Sequence, residues 1–362
     1  MDIITHRRNL HQIPELELNL PRTAAYIRQA LAGLNCRVFC PVDTAVFAFF
    51  DFGADHAIAF RADMDALPIE EKTGAAYGSR HPGVMHACGH DGHMAILLEL
   101  ARRLNQRNTL AHNVLLVFQP GEESPGGAKR ICDTGVLEEY RVRAIFGLHL
   151  WPGLAAGKVF SRVNELMSRS SEVNVDIYGK SAHIAKASEG LDAVMAGCEF
   201  YRRAMELEKS LPENVYRLLK FGKFHSGTAR NALSHHTHME GSLRAFQDEV
   251  FEQLRDGLYR IGGEVQEQTG CTVEITMSSG YPAVINPREL ADRVMTIAPY
   301  QKLDAPSMTS EDFSFYQKYC PAMFFFLGLG DVSALHTAKF DFDETVLLKG
   351  ADYFEKLARE FV

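Results

Sequence analysis

Between Met85 and His93 the chain reads "MHACGHDGH", which places Cys88, His90 and His93 beside His86 and Asp91. Thiolate and imidazole together are good ligands for zinc and its neighbours. Gly89 and Gly92 let the backbone turn tightly while the side chains converge. A second candidate is the pair Glu122-Glu123, directly after the apolar run "HNVLLVFQP" at 112–120. Adjacent glutamates can divide the work, one coordinating a metal while its neighbour takes a proton from activated water. His149 ends the next apolar run, "VRAIFGLH", and Asp63 and Asp65 in "RADMDALP" follow an earlier one. The two aspartates could orient a ligand imidazole through its second nitrogen. His336, in "ALHTAKFDFDE", lies downstream of "AMFFFLGLG". Together these residues suit a two-metal hydrolytic centre. There is no Gly-x-Ser-x-Gly nucleophile elbow, no phosphate-binding Gly-Lys loop and no hydride-transfer fingerprint.

The elements that must position these residues alternate. Helices are expected after Asp2 and over 21–34, strands over 36–39, 45–52 and 56–61, and a helix over 93–107 with Ile96, Leu97, Leu100 and Leu104 in phase. A buried strand at 112–120, a helix at 126–139 and a strand at 142–149 continue the pattern, which implies an α/β layer with a mostly parallel sheet. From about residue 167 the texture changes. Val173, Val175 and Ile177 alternate, and the order strand, helix, strand, strand, helix, strand runs to about 281, the split βαβ sandwich. The α/β texture then returns, with a helix over 287–298, a second beginning beyond Ser310, a strand at "AMFFFLGLG" and a closing amphipathic helix over 343–361. The expected organisation is therefore a first α/β part at 1–166, an inserted α+β domain at 167–281 and a second α/β part at 282–362.

Composition narrows the function. The chain has 362 residues, of which 46% are apolar and 23 are Phe, so wholesale disorder is excluded and two domains are favoured over one. With 38 basic against 46 acidic residues and a formal charge of -8, no basic excess exists to neutralise nucleic-acid phosphates or an anionic membrane. Seven cysteines without a short repeated spacing argue against a disulfide scaffold and for a reducing compartment. "MDIITHRRNLHQIPELELNL" has no signal-peptide run, and no apolar window approaches the 18 or so residues of a membrane span. A soluble, cytoplasmic protein is expected. Fifteen histidines are many for such a chain.

The motifs resemble those of the metallo-aminoacylase superfamily, in particular its N-acyl-L-amino-acid amidohydrolase branch, which includes hippurate hydrolases, auxin-conjugate hydrolases and N-acetyldiaminopimelate deacetylases. The resemblance runs from "RRNLHQIPEL" through "RADMDALPI", "MHACGHDGHM", "VFQPGEESPGGA", "GKSAH", "GTARNA", "EGSLR" and "TSEDF" to "LHTAKFDFDE". It implies a metallopeptidase-like α/β catalytic domain with an inserted ferredoxin-like lid that also dimerises. It further implies two divalent ions (zinc, manganese, cobalt or nickel) held by Cys88, His90, Glu123, His149 and His336, with Cys88 as the bridge. Glu122 would be the general base, His183 a donor to the oxyanion, and Asn231 and Arg244 the substrate-binding pair. His93 then drops out of the ligand set, and Asp63, Asp65 and Asp91 become supporting residues. Other superfamily branches carry His-x-Asp where this chain has Asp63-Met64-Asp65, and the prolines expected after the lid histidine and asparagine motifs are replaced here. The implied activity is hydrolysis of small N-acyl-L-amino acids, with N-acetyldiaminopimelate deacetylation in lysine biosynthesis, dipeptide hydrolysis and non-catalytic metal or solute binding as alternatives.

Overall fold

Apolar runs bounded by turns become strands, and amphipathic stretches become helices, in a computed structural model that describes residues 1–361. The chain divides into two units. One comprises Met1–Leu166, Val284–Ala305 and the stretch from Asp312 onward, and the other comprises Met167–Ala283 and Pro306–Glu311.

In the first unit, α1 (Ile3–His11) is capped by Asp2, whose carboxylate accepts from the Thr5 N–H, and α2 (Pro21–Leu31) opens on proline. β1 (Arg37–Phe39), β2 (Val46–Phe50) and β3 (Ala57–Asp63) precede α3 (His90–Leu104) and β4 (Asn113–Gln119). The single helix expected over 126–139 is two, α4 (Gly127–Cys132) and α5 (Val136–Glu139). Gly135, at φ 74°, breaks it with a left-handed backbone that glycine adopts without strain. β5 (Val142–Trp151), β6 (Val159–Ser161) and β7 (Asn164–Met167) complete this part.

The second unit is built from β8 (Arg169–Tyr178), α6 (Ala193–Lys209), β9 (Arg217–Ser226), β10 (His236–Ala245), α7 (Asp248–Thr269) and β11 (Thr272–Met277). Its four strands pair antiparallel in the order β11-β8-β10-β9. Val173, Val175, Ile177, Met239 and Leu243 pack one face against Phe200, Leu254 and Leu258 of the helices. This is an inserted ferredoxin-like domain.

The first unit resumes with β12 (Val284–Asn286), α8 (Arg288–Ile297), β13 (Gln301–Lys302), β14 (Ala322–Gly328) and α9 (Leu347–Glu360). The helix expected beyond Ser310 is present at Asp312–Lys318, as a 3-10 helix. The unit's eight-stranded sheet runs β1-β2-β4-β3-β5-β14-β6-β13, and the four central strands β4, β3, β5 and β14 are parallel. Every residue of β3, β4 and β14 is buried, which is why they read as continuous apolar runs rather than alternating ones. β12 pairs with β7 in a separate ribbon.

A buried ionic cluster ties α1 to α3. Arg7, wholly buried, lies 2.8 Å from Asp91 and 2.9 Å from Asp341, and Asp91 also accepts from His11 Nδ1 at 2.7 Å. Burial alone pushes the His11 imidazole down, but the Asp91 charge and the hydrogen bonds to Asp91 and Glu71 outweigh it and bring the group up to about 9. Because the folded pKa is raised, the imidazolium stabilises the fold fully below the unfolded value of about 6.5. That contribution is lost as pH rises through about 9. Unfolding free energy measured by urea titration is therefore expected to decline by roughly 3 kcal/mol across this window, and His11→Gln to flatten the decline. An identical slope in the variant would show that His11 does not hold the extra proton.

Candidate metal centre

The carboxyl ends of β3, β4, β5 and β14 lie side by side, since the register pairs Asp63 with Gln119, Arg61 with Gly147 and His149 with Phe326. The segments leaving these ends carry the candidate residues, at the carboxyl end of the parallel strands, the usual place for ligands in such sheets. α3 starts at His90 rather than at His93. Gly89, at φ 91°, turns the chain immediately before it and sets Cys88 and His90 on either side of the bend.

Cys88 Sγ lies 3.3 Å from His149 Nε2 and 3.3 Å from His336 Nε2, and His336 Nε2 is 3.1 Å from Glu123 Oε1. Two ligands of one tetrahedral zinc stand roughly 3.3–3.6 Å apart, the edge implied by Zn–N of about 2.0–2.1 Å and Zn–S of about 2.3 Å. Two donor groups, Cys88–His90–His149 and Cys88–Glu123–His336, share Cys88, and a third, His90–Glu122–Glu123, brings both glutamates to the same cluster, each group with its donor atoms within 4.8 Å of one another. His90 Nε2 and Glu123 Oε1 are buried without a hydrogen-bond partner, a cost that a cation between them relieves. The donor set therefore fits two divalent ions.

The histidines are already oriented for this. His90 Nδ1 donates to the Asp65 carbonyl at 2.8 Å and His149 Nδ1 to the Leu150 carbonyl at 2.7 Å, which leaves both Nε2 lone pairs facing the cluster. His336 has φ 60°, a strained conformation for a non-glycine residue, and its N–H donates to the Ala87 carbonyl at 2.8 Å. Electrostatics point the same way. Burial, then the charges of Glu123 and Glu122, hold the Cys88 thiol well above its usual range, so a thiolate here needs a cation to compensate it. Burial pushes His90 down, yet the Asp63 charge and then Asp65 bring it up to about 10, positive charge that a metal ion replaces.

Asp65 acts as a clamp. Its Oδ1 accepts from the Glu122 N–H at 2.9 Å and its Oδ2 from the Glu123 N–H at 3.0 Å, so one carboxylate sets both glutamates. Of the two aspartates expected to orient a ligand imidazole, Asp65 holds His90 Nδ1, through its backbone carbonyl. The Asp63 carboxylate instead accepts from His93 Nδ1 at 2.6 Å and Arg61 at 2.7 Å. His93 Nε2 in turn accepts from the Leu150 N–H at 2.9 Å, so both of its nitrogens are engaged within the protein. Asp91 belongs to the Arg7 and His11 cluster rather than to the donors.

Three buried residues here had no assigned part. Asp312 accepts from Arg61 at 2.9 Å, from Gln119 at 2.8 Å and from the Ala128 N–H at 2.9 Å, which ties the segment after Glu123 to the ends of β3 and β4. Arg61, Gln119 and Asp312 each stand inside a quoted motif, and a polar residue within an apolar run was the available signal. Burial raises the Asp312 carboxyl to about 6 against the lowering pull of Arg61.

His183, Asn231 and Arg244 belong to the second unit. His183 and Asn231 are exposed on adjoining segments, joined where the Ile184 N–H donates to the Asn231 carbonyl at 3.0 Å. Arg244, on β10, is half-buried. It donates to the Met308 carbonyl at 2.6 Å and to Ser242 Oγ at 3.1 Å, and has no carboxylate partner among the described residues.

Residues 59–360 match the model of peptidase family M20/M25/M40. The chain belongs to this family. It is 34% identical to an uncharacterized hydrolase of Staphylococcus haemolyticus over 99% of this chain and 98% of that protein. Its structure is similar to that of a protein from methicillin-resistant Staphylococcus aureus provisionally named an aminohydrolase, with a TM-score of 0.90, 29% identity and coverage of 98% and 95%. It is also similar to the Bacillus subtilis YXEP protein, described as a dinuclear metal binding peptidase from the M20 family, with a TM-score of 0.85, 30% identity and coverage of 98% and 96%. Family membership and the donor geometry together make this M20 chain a metal-dependent hydrolase of the amidohydrolase and peptidase kind. No helix among the described residues is long and apolar enough to cross a membrane.

If the Asp65 carboxylate positions the glutamates, Asp65→Ala removes no donor atom yet weakens metal retention about 10–100-fold, as expected for loss of a supporting partner. Metal content after dialysis against a graded chelator series measures this, and wild-type retention in the variant would refute the clamp.

Proposed function

We propose that this M20 family member hydrolyses the amide bond of N-acyl-L-amino acids, releasing a free amino acid and a carboxylate. The observation that carries the reading is the division of labour within one loop. Glu123 groups with Cys88 and His336, whereas Glu122, buried and fixed at its N–H by Asp65, joins the cluster through His90 and Glu123. Bound divalent ions supply Lewis-acid activation of the scissile carbonyl and of water. Glu122 takes the proton of the attacking water and passes it to the leaving amine nitrogen as the C–N bond breaks, which balances the step.

Support for an acylated amino acid as substrate comes from the second unit. His183 Nδ1 accepts from the Ala185 N–H at 3.2 Å, so the neutral ring carries its proton on Nε2, available to a developing oxyanion. Arg244 offers a half-buried guanidinium that has no carboxylate partner among the described residues, suited to the α-carboxylate of the product amino acid, and Asn231 would bind beside it. The "SPGGA" segment at 124–128 resembles the loop of N-acetyldiaminopimelate deacetylases and favours that substrate as a second reading. We further propose a homodimer formed through the inserted domain. Met195 and Tyr201 on α6 and Phe224 on the edge strand β9 are exposed, and an unpaired edge invites a second copy.

Acetyl, benzoyl and succinyl amino acids, with N-acetyldiaminopimelate included, form the test panel. Glu122→Gln is expected to keep its metal and lose turnover by about 10²-fold or more, while thorough chelation abolishes wild-type hydrolysis. Activity that survives chelation, or near-normal turnover of the glutamine variant, would sink the mechanism. For the dimer, light scattering should show that Met195→Asp with Phe224→Asp converts it to monomers; an unchanged mass would place any interface elsewhere.

A further inference from the structure

The helices of the inserted domain cover only one face of its sheet, and the opposite face carries a histidine cluster that the proposed reaction does not use. His236 and His238 alternate on β10, opposite Tyr178 and Asp176 of β8. His236 Nε2 and His238 Nδ1 each lie 2.8 Å from the same oxygen, Asp176 Oδ1. The His236 ring stacks on Tyr178 with centroids 5.0 Å apart, which fixes its plane. All three side chains are half-buried, and their donor atoms fall within 4.8 Å of one another.

The position of His238 decides how this cluster is read. Its second nitrogen, Nε2, is 2.9 Å from Glu240 Oε1. A neutral imidazole donates a single hydrogen bond. With carboxylates at both nitrogens, a neutral His238 would turn one lone pair onto an anionic oxygen. The site, with the Asp176 carboxylate at one nitrogen and the Glu240 carboxylate at the other, draws positive charge. That charge is either a second proton or a metal ion. Glu240, itself paired with Lys223, favours the metal arrangement. It holds the proton on Nε2 and turns the Nδ1 lone pair toward Asp176, as carboxylates behind ligand histidines do. His236 brings a second nitrogen to the same point. One carboxylate oxygen and two imidazole nitrogens suit zinc and the neighbouring imidazole-preferring ions, whose entry would open the 2.8 Å hydrogen bonds to the roughly 3.3 Å edge of a zinc site.

We propose that Asp176, His236 and His238 form a further divalent-cation site that clips β8 to β10, with Glu240 orienting His238. The test uses the holoprotein with its main centre already loaded, dialysed against zinc near neutral pH and counted for metal per chain. Wild type is expected to hold one zinc more than His236→Gln/His238→Gln, with the main-centre content equal in both. Asp176→Asn, nearly isosteric and half-exposed, should lose the same zinc. Glu240→Gln keeps all three ligands and should weaken uptake about 10-fold or more. Equal zinc in wild type and in a folded double histidine variant, or full uptake by Asp176→Asn, would overturn the site and leave His238 as a buttressed imidazolium.

Discussion

The first unit gathers carboxylates where it can least easily solvate them. Asp63, Asp65, Glu122 and Asp312 are buried at the carboxyl end of one parallel sheet, with Glu123 beside them. Several such charges in a low-dielectric interior repel one another and forfeit hydration, so each must be neutralised, hydrogen-bonded or protonated. The chain applies all three remedies. Arg61 lies between Asp63 and Asp312, backbone N–H groups fill both oxygens of Asp65, and the Asp312 carboxyl is raised to about 6. Glu123 Oε1 is a buried oxygen without a hydrogen-bond partner, and it lies among nitrogen and sulfur donors. The excess negative charge is thus focused on the gap that two dications fit.

The same constraint explains why neighbouring histidines are not equivalent. His90, His93 and His149 crowd together with ring centroids 4.6–5.9 Å apart. What separates them is the partner of the second nitrogen. A backbone carbonyl holds one nitrogen of His90 and of His149 and leaves the other as a lone pair. His93 has an acceptor at one nitrogen and a backbone donor at the other, so it braces the end of β5 instead. Second-atom bonding assigns roles that residue type does not.

That distinction marks how far the sequence could be read. Local apolar patterning made the strands legible, and the dense Cys88–His93 cluster and the Glu122-Glu123 pair announced themselves by spacing. What local pattern could not supply was long-range pairing. Asp312 meets Arg61 across 251 positions, and nothing near either residue signals the other. The start of α3 was placed three residues late because Gly89 looked like a loop glycine, whereas its left-handed turn begins the helix at a donor. The helix beyond Ser310 was legible, but its 3-10 geometry at Asp312–Lys318 was not. Its first residue, Asp312, is anchored to Ala128 and Gln119, partners far away in the sequence.

The two units also show why one chain carries so many histidines. In the first, parallel strands are buried on both faces, so polar groups can emerge only at strand ends, and imidazoles there are held by main-chain carbonyls. In the second, helices cover one face of an antiparallel sheet, and every other residue of β8 and β10 faces away from them. Asp176, His236, His238 and Glu240 fall on that alternating row, where cross-strand neighbours meet without any loop to bring them together. Convergence in the first unit requires a glycine turn, a strained His336 and a carboxylate clamp; on the open sheet it requires register alone. Sequence density therefore reveals the former, while a cluster of the latter kind shows only once β8 is paired with β10.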